Sequence, residues 1–352
     1  MKHIKHPFLK YFFRNSLIGA LSCLLLFPSS ALAASAAQKG ATALGGLAAM
    51  LAVLHERNVH YYRYADPAGP VERRFTPLGA YEVEERTLPA AEPSKEITIF
   101  YPKELPDERL PIVLFANGTG TPASKYPEVL RHLASWGFIA VGNEDGDVRT
   151  GASLEQTLNL VLAEDTREGS PLYGHVDAWN VGVFGHSQGG VGAINAVTQQ
   201  PSSHRYRAIF VASATSSFWG QDGALGAEWR YDLTHLSVPI FFTAGTGAWD
   251  AGKATERAAK EGQGIAPLWS LRENFTATPA STPKIIARRK DKDHGDMLRA
   301  GDAYMTAWFS YLLKGYVEVA AAFFGTSPEL ANNKHWQDVQ ISIPSHVFSS
   351  QP

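Results

Sequence analysis

Residues 180–197 join three pieces that constrain the architecture more than any other stretch. Asn180-Val181-Gly182-Val183-Phe184 is a short apolar run of buried-strand type. Gly185-His186-Ser187-Gln188-Gly189 is a turn with a serine flanked by glycines. Gly190-Val191-Gly192-Ala193-Ile194-Asn195-Ala196-Val197 is small and apolar, reads as a helix packed close to a sheet, and stops before Pro201. Strand, G-x-S-x-G turn and helix form a nucleophile elbow, which pushes a serine hydroxyl out above the end of a sheet. The glycines let backbone and helix approach where a Cβ would collide. In a chain with 31 glycines the pentapeptide alone is a weak signal, and its flanking strand and helix carry the reading.

The rest of the chain repeats the strand–helix alternation. Apolar runs at Ile97–Tyr101, Ile112–Asn117, Phe138–Gly142, Ala208–Ala212, Ile240–Ala244 and Ile285–Ala287 read as further strands. Several are apolar throughout, as in a parallel sheet covered on both faces. Tyr126–Trp136 and Leu154–Ala163 have helical spacing of apolar positions, and a long helix over about Ala303–Phe324 closes the series. This order predicts one α/β domain, a doubly wound, mostly parallel sheet with helices on both faces. The stretch from Ser213 to Val238 has room for one helix of about 11–12 residues plus loops, so no large lid domain is expected.

The ends of the chain read differently. Lys2, Lys5, Lys10 and Arg14 precede an apolar segment from Ser16 to Phe27 and a small-x-small site at Ala31-Leu32-Ala33. This is the pattern of a cleaved signal peptide over residues 1–33, which implies export to the periplasm or the extracellular space. The single cysteine, Cys23, lies inside it, so the exported part forms no disulfide. The leader holds four of the 32 basic residues and none of the 34 acidic ones. The remainder is therefore net acidic, which argues against nucleic acid as a partner. Residues 34–77 read as an extension with a short apolar helix over Ala41–Leu54, too short to span a bilayer. Residues 78–325 read as the main domain and 326–352 as a polar tail.

A serine hydroxyl needs a base within hydrogen-bond reach, and the base needs an orienting acid. In an elbow-type fold the order along the chain is serine, acid, histidine, each after a strand. His294 follows the last strand of the series and is the only histidine between the acid region and the closing helix. Asp250 follows the strand before it, and Asp222 is the alternative one strand earlier. Ser187, Asp250 and His294 are thus the candidate nucleophile, acid and base. His186 reads as a packing residue of the elbow. The amide of Gln188 and one amide of the glycine-rich loop Asn117-Gly118-Thr119-Gly120-Thr121, best that of Thr119, are the candidate oxyanion hole. Asn117-Gly118-Thr119 is also a formal glycosylation sequon. Trp219 and Trp249 are candidate substrate-wall residues. Asp291, Asp293 and Asp296 lack the ligand repeat of a calcium loop and read as solvated loop charges, so neither metal nor cofactor is expected.

On these segments the chain resembles the secreted α/β-hydrolases of the cutinase and polyester-hydrolase type, near the dienelactone-hydrolase branch. Leu78-Gly79-Ala80-Tyr81, Pro111–Gly118, Leu133–Phe138, Asp177–Gly190, and His294 with Ala307–Lys314 carry the likeness. The resemblance implies the α/β-hydrolase fold and a serine carboxylic-ester hydrolase working through an acyl-enzyme on lipidic or polymeric esters. It assigns the same roles to Ser187, Asp250 and His294. Four features depart from the group's pattern, among them a longer spacing from Asp250 to His294. Thr119 stands where an aromatic residue is usual, Gln188 where methionine is common, and no C-terminal disulfide can form. A peptidase or acyltransferase on the same triad, or a non-catalytic binding protein, are the alternative readings.

Overall fold

The computed structural model describes residues 66–344. The leader, the apolar stretch 41–54 and residues 345–352 lie outside them. Nine strands form one sheet, β1 (Val83–Pro89), β2 (Glu96–Pro102), β3 (Leu110–Ala116), β4 (Ile139–Asn143), β5 (Val176–His186), β6 (Tyr206–Ala212), β7 (Ile240–Gly245), β8 (Lys284–Arg289) and β9 (Trp336–Ser342). Their spatial order is β1-β2-β4-β3-β5-β6-β7-β8-β9. The six strands from β4 to β8 in this order are parallel, and the outer pairs are antiparallel. The order turns back at β3, which lies between β4 and β5. The crevice at the carboxyl ends of β3 and β5 is therefore the switch point at which an open α/β sheet binds its ligand.

Both faces of this sheet are covered, which explains the apolar strands. In β3 all seven residues are buried. Val113 and Phe115 join one core, while Ile112, Leu114 and Ala116 join the other. The first core includes α2 (Pro127–Ser135) and α7 (Met297–Lys314). The second includes α3 (Ala152–Thr166), α4 (Gln188–Gln199) and α6 (Leu268–Ala277). Trp308 of α7 is fully buried, packs edge-on against Phe241 at 6.0 Å and Phe323 at 5.4 Å, and donates its indole N–H to the Ile209 carbonyl at 3.1 Å. Burying side chains of this size contributes about 1.5–3 kcal/mol each, and the hydrogen bond removes the polar cost of the indole.

Every strand expected from an apolar run is present, but the domain is wider than the expected 78–325. Helix α1 (Pro70–Phe75) brings Phe75 fully into the core. The supposed tail supplies α8 (Glu329–Asn332) and strand β9, which pairs antiparallel with β8. The Glu329 carboxylate accepts from the Val71 and Glu72 amides at 2.7 and 2.9 Å, tying the two outer segments together. The segment expected to open the domain, 78–81, is not a strand. The Gly79 and Tyr81 amides bond instead to Ser135, and the first strand starts at Val83. The closing helix starts earlier than expected and ends at Lys314, where Gly315 takes a left-handed φ of 67°. No α-helix forms between β6 and β7. That connection holds two 3₁₀ turns, Ser217–Gly220 and Ala227–Trp229, and carries no lid domain.

Candidate active site

β5 ends at His186 and α4 begins at Gln188, leaving Ser187 as the whole turn between them. Ser187 has φ 60° and ψ −123°, a region that residues with a Cβ rarely occupy. Strain of this kind costs about 1–3 kcal/mol and persists where the surroundings over-determine the backbone. Here the Ser187 amide donates to the Ala212 carbonyl at 3.1 Å, and its carbonyl accepts from Gly190 and Thr215 at 3.0 and 3.2 Å. A Cβ on Gly185 would stand 2.2 Å from the Gly189 carbonyl oxygen, and one on Gly189 would stand 1.9 Å from that of Ala116. The glycines of the motif are thus demanded by close approach of helix, elbow and neighbouring strand.

Asp250 lies in α5 (Ala248–Ala251), the single turn after β7. Its side chain is fully buried. One oxygen accepts from the Ser213 hydroxyl and the Gly245 amide, both at 2.6 Å, and the other faces His294 Nδ1 at 2.8 Å. Burial alone would raise this carboxyl. The hydrogen bond and charge of His294, followed by Ser213 and Gly245, outweigh it and hold the group below the ordinary aspartate value. His294 opens the 3₁₀ turn His294–Asp296 after β8. With Nδ1 engaged by Asp250, Nε2 is the nitrogen left to exchange a proton. The structure therefore brings Asp250 and His294 together, and leaves Asp222 on the surface, with 95% side-chain exposure and an ion pair to Arg230.

His186 joins the elbow to the histidine loop. Its ring lies 4.7 Å from that of His294, and its Nε2 donates to the His294 carbonyl at 2.9 Å. Burial, and then the charge of His294, push the His186 imidazole down to about 4. It is a neutral anchor rather than a base.

The two candidate oxyanion residues stand on adjacent strands. Ala116 of β3 is paired with Gly185 of β5, so Thr119 and Gln188 each lie three residues beyond one register position. Thr119 is in an exposed turn and Gln188 is buried. The Gln188 side chain donates to the Gly146 carbonyl at 2.8 Å, and that same carbonyl accepts from the Gly120 amide at 2.9 Å. The polar residue at this position thus braces the loop that carries Thr119, a bond that methionine cannot make. Asn117 is fully buried and donates to the Asn143 and Asp145 carbonyls, so the sequon nitrogen is spent inside the fold.

Trp249 precedes Asp250 and is 40% exposed, while Trp219 is half-buried. Both brace the segment 264–265. Trp219 Nε1 donates to the Gly264 carbonyl at 3.1 Å, and the Ile265 amide donates to the Trp249 carbonyl at 2.8 Å. Two contributors escaped the sequence reasoning. Ser213 holds the buried acid, and Asp293, expected to be a solvated charge, accepts hydrogen bonds from the amides of Trp249, Asp250 and His294. The elbow motif offers no signal for either.

Residues 59–219 match the family model described as PET hydrolase-like. Over those residues the chain is similar to PET hydrolase-like proteins. The match spans β1 to the elbow and extends to Trp219, and it agrees with the mostly parallel sheet and with an α/β-hydrolase fold. Ester hydrolysis is the general chemistry that this family implies. Asp250 and His294 lie beyond the matched residues. No curated protein matches the chain. Among the described residues, no helix is long and apolar enough to cross a membrane.

Proposed function

We propose that this chain is an exported serine carboxylic-ester hydrolase in which Ser187 is the nucleophile, His294 the base and Asp250 the orienting acid. The observation that carries the reading is the 2.8 Å contact between His294 Nδ1 and a fully buried Asp250 carboxylate, in a loop tied through His186 to a serine held at φ 60°. Ser187 Oγ attacks the ester carbonyl as His294 Nε2 takes its proton. The carbonyl oxygen becomes an oxyanion held by the Thr119 and Gln188 amides. Collapse expels the alcohol, which receives the proton from His294 and leaves an acyl-Ser187. Water, deprotonated by His294, then releases the acid and restores the serine. The residues need no metal or cofactor for these steps.

The short β6–β7 connection supports an open site, and with Trp249 exposed beside Asp250 in the chain this suits bulky, lipidic or polymeric esters. Export follows from the leader at residues 1–33. The test is hydrolysis of a p-nitrophenyl acyl ester series beside peptide p-nitroanilides, with Ser187→Ala as control. Turnover of esters but not anilides, lost in the variant, supports the proposal. Turnover of anilides points to a peptidase. Equal rates in chain and variant remove Ser187 from the chemistry.

A further inference from the structure

The loops after β7 and β8 carry the acid and the base, and nothing in their connectivity fixes one against the other. Asp293 does so with one carboxylate. Its Oδ1 accepts from the amides of Trp249 at 3.0 Å, Asp250 at 2.9 Å and His294 at 2.8 Å, and its Oδ2 lies 3.1 Å from the Trp249 amide. Trp249 and Asp250 are the second and third residues of α5, whose amides have no partner within so short a helix. Asp293 is also the N-cap of the turn that begins with His294, with a reciprocal bond from its own amide to Asp296 at 3.1 Å. A single side chain thus caps both turns, in trans for the acid and in cis for the base.

The surrounding backbone repeats the tie. The Lys292 carbonyl accepts from the Thr246 and Gly247 amides, each at 2.9 Å, and Thr246 Oγ1 accepts from the Asp291 amide at 3.0 Å. Gly247 is bare for the same reason. A Cβ there would stand 2.4 Å from the Asp293 carboxyl carbon. The Asp293 carboxylate acts on backbone amides and leaves the imidazole to Asp250.

We propose that Asp293 is a positioning residue that sets Asp250 and His294 in mutual register, an inference that rests on the acid and base roles given above. Capping at a helix N-terminus tolerates asparagine almost as well as aspartate, because either supplies the accepting oxygen, whereas alanine supplies none. A misplacement on the order of 1 Å in such a constellation costs about 10²-fold in rate.

The experiment compares the full chain with Asp293→Ala, Asp293→Asn and Gly247→Ala, using p-nitrophenyl butyrate and rates per active site counted by fluorophosphonate titration. Asp293→Ala is expected to lower kcat about 10²-fold with KM within about 2-fold, and Asp293→Asn to stay within about 5-fold of the parent. Gly247→Ala keeps the carboxylate but forces the loops apart, and it should lose kcat as Asp293→Ala does. Where the alanine variant lacks a cooperative thermal transition, the asparagine and Gly247 variants decide. A kcat per site within about 3-fold of the parent in Asp293→Ala would overturn the inference, as would an asparagine variant as slow as the alanine one. Parental activity in a parallel Ser187→Ala sample would strike the underlying triad instead, so the two failures are distinguishable.

Discussion

Replacing Asp250 by asparagine removes one charge and changes almost no volume, so its effect is governed by the hydrogen bonds at the carboxylate. The oxygen that accepts from Ser213 and Gly245 at 2.6 Å can be kept as the amide oxygen. The atom facing His294 Nδ1 at 2.8 Å is then an NH₂, a donor against a donor. The imidazole resolves the conflict by moving its proton to Nε2, which makes Nδ1 the acceptor. Nε2 then carries a hydrogen where the Ser187 hydroxyl needs a base. Loss of the correct tautomer in the corresponding trypsin variant costs about 10⁴-fold in kcat, and a loss of that order is expected here, about 5.5 kcal/mol of transition-state stabilisation. Stability should change far less, by about 1–3 kcal/mol, because two of the three hydrogen bonds survive. The assay is kcat for p-nitrophenyl butyrate beside a urea titration of the same samples. A folded Asp250→Asn protein within about 10-fold of parental kcat would refute the assignment of Asp250. Asp222→Asn, altered at the exposed pair with Arg230, should be silent.

Ser213 supplies one of the two other bonds that hold the Asp250 carboxylate, and it sits at φ 52°. Ser213→Gly suits that backbone and removes only the hydroxyl, so kcat should fall about 10-fold with KM unchanged, from the loss of a charge-assisted bond of about 1.5–3 kcal/mol. His186 predicts an acid limb of stability. Its folded value of about 4 lies below the ordinary histidine value of about 6.5, so the unfolded chain takes up the proton first. Its contribution is complete above pH ~6.5, declines as the pH falls, and is gone below about 4, a change of about 3 kcal/mol. Urea midpoints of parent and His186→Gln between pH 7 and 4 should therefore converge, and a constant gap would contradict the buried neutral imidazole.

Much of the site is legible in the sequence because its parts are constrained by covalent order. The elbow is contiguous, and its glycines are forced by contacts within 1.9–2.2 Å of backbone oxygens. Asp250 and His294 come after consecutive strands, so the serine–acid–histidine order names them as candidates without any knowledge of their 2.8 Å contact. Ser213 and Asp293 act across neighbouring strands, and no spacing rule relates them to their partners. Asp293 looks like one more charge in Asp291-Lys292-Asp293-His294-Gly295-Asp296 until its amide partners are seen. The outer strands fail for another reason. β1 and β9 lie at the sheet edges, each pairs on one side only, and their burial patterns lack the continuous apolar run of β3. Backbone pairing holds β1, and at β9 the Glu72 carboxylate adds bonds from Asn333 and Trp336; such bonds leave little trace in hydropathy.

The central claim is that Ser187 is an activated nucleophile. A fluorophosphonate probe combined with peptide mass spectrometry tests it most directly. One equivalent of label on the peptide containing Ser187, lost in Ser187→Ala and accumulating in step with loss of ester hydrolysis, is the predicted result. Label on another residue, or none on a folded and unmodified chain, would contradict it.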